Sequence, residues 1–399
     1  MYDYVVIGGG IIGLNVARVL IEKEPKSKIV LIEKESDVAK HSSGRNSGVL
    51  HAGFYYSADS LKAKFTKEGN VRLREFCSRK GLSINPCAKI VVAQNEFELA
   101  GLEELKRRGD ANGVDMEWMS EEELALKYPM VKTHQKALFS PNTATVNPIE
   151  VTQAFKQEVL EKGVHVLLNT AYTKRVSQNE IATTQGNLRY KKLINCAGLY
   201  ADKIAQDFGF AKEYIIIPFK GIYLKDENNI CGITTNIYPV PNLANPFLGV
   251  HYTLTVDNQA KIGPTAIPAF WRENYKGWDN FKWSEFLQTL YYEAKLFFTN
   301  AFGFRDLAFC EMRKYIKSHN LSLAKGLTYS IDTSGFTHWS TPGIRAQLLN
   351  TKTLELVQDF VVQGDDKTIH VLNAVSPAFT SSMPFCEWVV ENYVLRAEQ

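Results

Sequence analysis

A buried strand, a glycine triplet, a helix, a second strand and an acid follow one another without a break at the start of this chain. Tyr4-Val5-Val6-Ile7 is a continuous apolar run, as expected of a strand covered on both faces. Gly8, Gly10 and Gly13 follow in G-x-G-x-x-G spacing, and Ile11, Ile12, Leu14, Val16, Ala17, Val19 and Leu20 give the next stretch a helical apolar pattern. Ile29-Val30-Leu31-Ile32 reads as a second strand ending on Glu33. The order predicts a βαβ unit built for a dinucleotide. Gly8 permits the tight turn, Gly10 lets the backbone approach a pyrophosphate, and Gly13 lets the helix pack closely on the strand. The phosphates are expected at the helix start, beside Gly10, Ile12 and Gly13, where free N–H groups and the helix dipole favour negative charge. Glu33 is placed to accept the ribose hydroxyls, with Lys34 next to it.

A carboxylate at Glu33 argues against a 2′-phosphate and so against NADP. The choice between NAD and FAD turns on residues 40–53, KHSSGRNSGVLHAG. An NAD dehydrogenase would continue its sheet here. A loop of small hydroxyl and amide residues follows instead, as if wrapping a second long ligand segment. Ser42, Ser43, Asn46, Ser47 and Gly48 are therefore expected against the cofactor, and FAD is the expected cofactor.

The remaining bulk properties exclude more than they assign. The 399 residues carry a net charge of +3, and no basic stripe marks a nucleic-acid partner. Six cysteines include no C-x-x-C pair, so no metal site is expected and the thiols read as those of a reducing compartment. No apolar run reaches the length of a membrane span, and Met1 runs at once into a strand without a signal peptide. The expected location is cytoplasmic. Residues 271–304 are dense in aromatics, which reads either as the core of a helical subdomain or as a surface for a partner or membrane. Peripheral contact with the inner face of the cell membrane therefore stays open.

Further blocks carry a family resemblance. They are Ser42 to Tyr56, Pro218-Phe219-Lys220-Gly221, Phe247-Leu248-Gly249-Val250-His251-Tyr252, Gly263-Pro264-Thr265-Ala266, Arg272-Glu273-Asn274-Tyr275 and Gly343-Ile344-Arg345-Ala346-Gln347. With them the chain resembles the D-amino-acid-oxidase (DAO) class of flavoproteins, and within it the L-2-hydroxyglutarate dehydrogenases and oxidases. The resemblance implies an α/β fold: a Rossmann-type, glutathione-reductase-like FAD lobe joined to a mixed-sheet substrate lobe. It implies a discontinuous FAD domain, residues 1–86, 145–216 and 325–399, and a substrate domain, residues 87–144 and 217–324. It also implies cofactor contacts at Tyr172 near the adenine, at Ala197 and Gly198 near the diphosphate, and at Phe379, Thr380 and Ser381 near the flavin, with Arg345 close by.

The implied activity is FAD-dependent oxidation of L-2-hydroxyglutarate to 2-oxoglutarate. Its partners would be a small dicarboxylic hydroxy acid and an electron acceptor: oxygen, a quinone or a carrier flavoprotein. Such chemistry needs a base for the hydroxyl proton and cations for the carboxylates. His51 follows the flavin-wrapping loop and is the first candidate base, its imidazole suited to neutral pH. His251 competes with it. Arg345 suits bidentate carboxylate binding. Lys220, Tyr223, Tyr55 and Arg272 are further candidates for the substrate. Two rivals stay open: an amine oxidase of the same class acting on an amino or N-methylamino acid, and a non-catalytic flavin-binding interaction protein.

Overall fold

A computed structural model describes residues 1–241 and 249–396. Phe247 and Leu248 of the resemblance blocks lie outside the described residues.

The protein is mixed α/β. Tyr2–Ile7 pairs in parallel with Ile29–Ile32 on one side and with Gly186–Asn195 on the other. His165–Leu167 extends this parallel core beyond Ile29–Ile32, and Thr368–Asn373 extends it beyond Gly186–Asn195. Both faces are covered, which explains the unbroken apolar run. Val6 and Ile194 face a core shared with Leu14, Phe155 and Phe385. Val5, Ile7 and Leu193 face another with Phe208. Gly8 has φ +108°, and a Cβ there would lie 2.5 Å from the Cys196 carbonyl oxygen. A Cβ on Gly13 would lie 2.0 Å from the Gly8 carbonyl oxygen, so only glycine lets the helix Ile11–Lys23 seat against the turn.

A second sheet of eight strands has a different build. Its centre is Ala260–Gly263, His251–Leu254, Asn236–Pro239, Lys89–Val92 and Lys136–Ser140. All neighbours in that set are antiparallel except Asn236–Pro239 with Lys89–Val92. Between the two sheets runs a long antiparallel ribbon, Tyr214–Gly221 against Gly343–Asn350.

The ribbon's register corrects one expectation. Phe219 lies opposite Arg345, and Lys220 lies opposite Ile344. Directly opposed residues share a face and neighbours on a strand do not. Lys220 therefore points away from Arg345, and its Nζ donates to Asn274 Oδ1 at 3.3 Å. Arg272 is a second correction. It is 1% exposed, and its guanidinium makes a two-pronged pair with Asp202 at 2.6 and 2.7 Å and also donates to the Leu199 carbonyl. Buried and ion-paired inside the protein, it clamps the Ala201–Asp207 helix to the Trp271–Tyr275 segment and does not line the cavity.

The aromatic segment divides between core and surface. Trp271, Tyr275 and Phe304 are buried, whereas Trp278, Trp283, Tyr291, Phe298 and Phe309 are exposed. Five of the six cysteines are buried, and all six are free thiols. No helix among the described residues is long and apolar enough to cross a membrane.

Removing one side of the Asp202–Arg272 pair leaves a buried guanidinium without its counter-ion. Asp202→Ala should destabilise the protein by about 3–5 kcal/mol in denaturant unfolding. A loss below about 1 kcal/mol would show that the pair does not hold these elements together.

Candidate active site

A cavity of about 900 Å³ opens at the ends of the parallel strands. Ile7, Ile32 and Cys196 line it, so it sits at the carboxyl edge of the first sheet, the usual ligand crevice of such folds. Its lining takes in Gly8, Gly10, Ile12, Glu33, Lys34, Ser42, Ser43, Asn46 and Ser47. Tyr172, Ala197, Gly198, Phe379 and Thr380 line it as well. Gly13 packs behind the turn, as its contact with Gly8 requires.

Each cradle residue has a specific job. Glu33 accepts from Gly9 N at 2.7 Å and Glu35 N at 3.0 Å, which fixes its carboxylate at the cavity wall. Each carboxylate oxygen has a second lone pair, so acceptor capacity remains for hydroxyls. Ser43 Oγ accepts from Ile11 N at 2.9 Å and so occupies one of the helix's free N–H groups. Ser42 Oγ donates to the Ile344 carbonyl at 2.8 Å, tying the loop to the ribbon. Asn46 donates to the carbonyls of Ser42 and Ser43 and accepts from Gly48 N, which folds the loop upon itself. Lys34 is ion-paired with Glu273 at 2.8 Å and with Glu35, so it lines the cavity with its charge already matched. The Tyr172 hydroxyl donates to Asp207 at 2.9 Å.

Besides Gly13, two further expected cofactor contacts, Gly48 and Ser381, fall outside the lining. Gly48 turns the backbone at φ +78°, and its carbonyl accepts from Val146 N. Ser381 is fully buried with its hydroxyl 3.2 Å from that of Thr66, because it lies on the packed face of the helix Ala378–Val389. That helix does bring its first turn, Ala378 to Thr380, to the cavity.

The cradle suits FAD. It is long and free of a side chain at Gly8 and Gly10, it has a carboxylate for ribose, and two helix starts face it. The residues that would hold the group are Gly8, Gly10, Ile12, Glu33, Ser42, Ser43, Asn46, Ser47, Ala197, Gly198, Phe379 and Thr380.

His51, Tyr223 and Arg345 form a second group of lining residues. The His51 backbone N–H donates to Thr380 Oγ1 at 3.2 Å, which holds the main chain at His51 beside the helix start. Burial, then the charges of Lys89 and Arg345, hold the His51 pKa well below the usual imidazole range. The sequence had suggested an ordinary imidazole; the site makes it a neutral one. Burial likewise raises the Tyr223 phenol and lowers the Arg345 guanidinium.

His251 and Tyr55 stand behind this group and do not line the cavity. His251 is 8% exposed, stacks on Tyr238 at 3.6 Å between ring centres, and has Nδ1 2.8 Å from the Gly249 carbonyl. A carbonyl only accepts, so Nδ1 carries the proton and Nε2 the lone pair. Burial and the charge of Lys89 keep this imidazole neutral too. The Tyr55 ring packs on Phe54, and its hydroxyl has no partner among the described residues.

Lys89 is the residue that the sequence reading passed over. It begins the strand Lys89–Val92, is fully buried, and its Nζ has no hydrogen-bond partner among the described residues. Its Nζ lies 4.2 Å from the Tyr238 ring centre, 5.0 Å from that of Tyr55 and 5.5 Å from that of Phe54. A lysine at the head of an all-apolar strand was itself a signal, since lysine is almost never fully buried without a partner.

Comparison with known proteins bears on this arrangement. The FAD dependent oxidoreductase (DAO) family model matches residues 3–391, and the chain belongs to that family of FAD-dependent enzymes. Among its relatives is the L-2-hydroxyglutarate dehydrogenase of Escherichia coli, 35% identical over 98% of this chain and 92% of the relative. The human mitochondrial L-2-hydroxyglutarate dehydrogenase is 34% identical over 100% of this chain and 89% of that protein. In fold the chain is similar to the FAD-bound L-α-glycerophosphate oxidase of Mycoplasma pneumoniae, with a TM-score of 0.72 at 23% identity, covering 98% of this chain and 94% of that one.

If Glu33 accepts the ribose hydroxyls, Glu33→Ala should weaken FAD retention by about 1.5–3 kcal/mol, a loss of hydrogen bonds to a charged group. The flavin absorbance left after dialysis against dilute buffer measures it. Retention equal to wild type would move the ribose elsewhere.

Proposed function

We propose that this chain oxidises L-2-hydroxyglutarate to 2-oxoglutarate with FAD as the electron acceptor. The observation that carries the reading is the pairing of a neutral, buried imidazole, His51, with a buried guanidinium, Arg345, on one cavity wall. Two full-length relatives bearing the L-2-hydroxyglutarate dehydrogenase name support it.

Bound FAD supplies the two-electron acceptor for the hydride that leaves C2. The chain's own residues do the rest. Arg345 binds the carboxylate next to C2 and so turns the single C2 hydrogen toward the flavin. His51, held deprotonated by burial and by neighbouring positive charge, takes the hydroxyl proton as the C2 carbonyl forms. Tyr223 closes the wall beside Arg345. His251 supports the stack behind the site.

Anaerobic bleaching of the bound flavin tests this reading. The L enantiomer should reduce the flavin and the D enantiomer should not, because one hand alone places C2–H at the flavin with its carboxylate on Arg345. Arg345→Met should raise the concentration needed, at a cost of about 2–4 kcal/mol. His51→Ala should lower the reduction rate at saturating substrate by about 10²–10⁴-fold. Equal reduction by both enantiomers, or reduction by amino acids in place of hydroxy acids, would sink the substrate assignment.

We also infer that the enzyme makes peripheral contact with a membrane through the helices Trp283–Thr299 and Phe304–Arg313. Exposed Trp283, Tyr291, Phe298 and Phe309 lie in the same stretch as exposed Arg305, Arg313 and Lys317, a mixture suited to an anionic interface. The protein should float with phosphatidylglycerol vesicles, and Phe298→Ser with Phe309→Ser should weaken flotation severalfold. No flotation of wild type would refute the contact.

A further inference from the structure

We infer that Lys89 is the binding group for the substrate's second carboxylate and so sets the preference for dicarboxylic over monocarboxylic hydroxy acids. This rests on the reading of the site as one for a 2-hydroxy acid, and it names the part of the substrate recognised away from the reacting carbon.

The argument starts from polar groups left without partners. Lys89 Nζ, His51 Nδ1 and Tyr55 Oη are buried, and none has a hydrogen-bond partner among the described residues. Three such groups in one cluster call for an explanation, since buried polar atoms are nearly always paired. They do form one cluster. Lys89 Nζ sits over the rings of Tyr55 and Tyr238, Tyr238 stacks on His251, and the charge of Lys89 bears on both His51 and His251. His51 in turn lines the cavity, so the cluster adjoins the place where substrate binds.

The chemistry of the missing partner follows. An ammonium donates and cannot accept, a phenol can donate, and a neutral imidazole can do either. An acceptor-rich anion satisfies all of them. Among the described residues the surroundings of Lys89 supply none: it is faced by Phe54, Tyr55 and Tyr238, with His51, His251 and Arg345 in the same cluster. Among the described residues the Cys87 thiol is the one group favouring its charged form, and burial holds that thiol above its ordinary pKa. Lys89 accordingly has its pKa lowered to about 7 by burial. Arg345 lies on the ribbon and Lys89 on the second sheet, so the two cations come from separate elements. A substrate with a carboxylate at each end can engage one on each.

The sign of the pH effect is fixed by this arrangement. Below about pH 7 the empty site already carries the Lys89 proton. Above it, an arriving dicarboxylate must bring a proton along, so its affinity falls. His51 and His251 stay neutral across this range because their pKa values lie well below 6.5. The thiol and the phenols stay protonated because burial raises theirs.

The test uses non-oxidisable probes, glutarate and butyrate, titrated into the FAD-loaded enzyme and followed by the flavin absorbance change. Lys89→Met should weaken glutarate by about 30- to 1000-fold and leave butyrate unchanged. Lys89→Arg should restore part of the loss. With wild type alone, glutarate affinity should drop toward tenfold per pH unit above about 7 while butyrate affinity does not follow. In turnover, Lys89→Met should raise KM for L-2-hydroxyglutarate but not for L-2-hydroxyvalerate, the same chain ending in a methyl group. Equal weakening of glutarate and butyrate would make Lys89 a structural residue. No weakening of either, or a wild-type glutarate affinity flat from pH 6 to 9, would also overturn the assignment. Glutarate binding that depends on Lys89 without flavin reduction by L-2-hydroxyglutarate would keep this inference and sink the oxidation.

Discussion

Burying an ammonium group without a counter-ion costs several kcal/mol, and at Lys89, which has none among the described residues, the cost shows as a pKa lowered to about 7, so the charge is held only below that pH. The surroundings share that cost without removing it. Aromatic faces at Tyr238, Tyr55 and Phe54 offer the cation their negative quadrupole, a weaker substitute for a carboxylate. The positive potential that results has consequences next door. It reinforces burial in keeping His51 and His251 unprotonated, so the same charge that awaits an anion also prepares a base. Substrate recognition and proton abstraction are thus coupled through one field.

The fold separates two tasks. The parallel sheet and its glycine turn form a cradle whose geometry leaves no room for side chains at Gly8 and Gly13. The second sheet contributes the Lys89 cluster. The ribbon of Tyr214–Gly221 and Gly343–Asn350 carries Arg345 between them, and Ser42 fastens the cofactor loop to that ribbon through Ile344. Arg272 and Asp202 lock the helix behind the cradle. A cavity wall assembled from three separately stabilised parts can hold a small acid at fixed orientation to a flavin, which is what oxidation at one carbon demands.

Legibility followed the range of the interaction. The dinucleotide unit was readable because every step in it is local: an apolar strand, three glycines, an amphipathic helix, an acid. Lys220 was misplaced because its face depends on a register with residues far along the chain, which no local pattern encodes. Arg272 looked available because its partner, Asp202, lies 70 residues earlier. Ser381 was one position past the cavity-lining turn of a helix start. Lys89 was visible as a lysine heading an apolar strand, yet its aromatic floor comes from Tyr55 and Tyr238 in distant segments. The pKa of His51 was illegible for the same reason, since burial and neighbouring charges set it.

Burial and positive charge keep His51 deprotonated in the free enzyme. The pH dependence of kcat/KM for L-2-hydroxyglutarate reads the free enzyme's essential base. A base whose pKa is depressed stays active until the pH falls through that lowered value. On its acidic side the profile should therefore pass through pH 6.5 without an inflection and fall only well below it, while the fall above about pH 7 belongs to Lys89. An acidic limb centred near 6.5, abolished in His51→Ala, would show that His51 is an ordinary imidazole whose pKa the site does not lower.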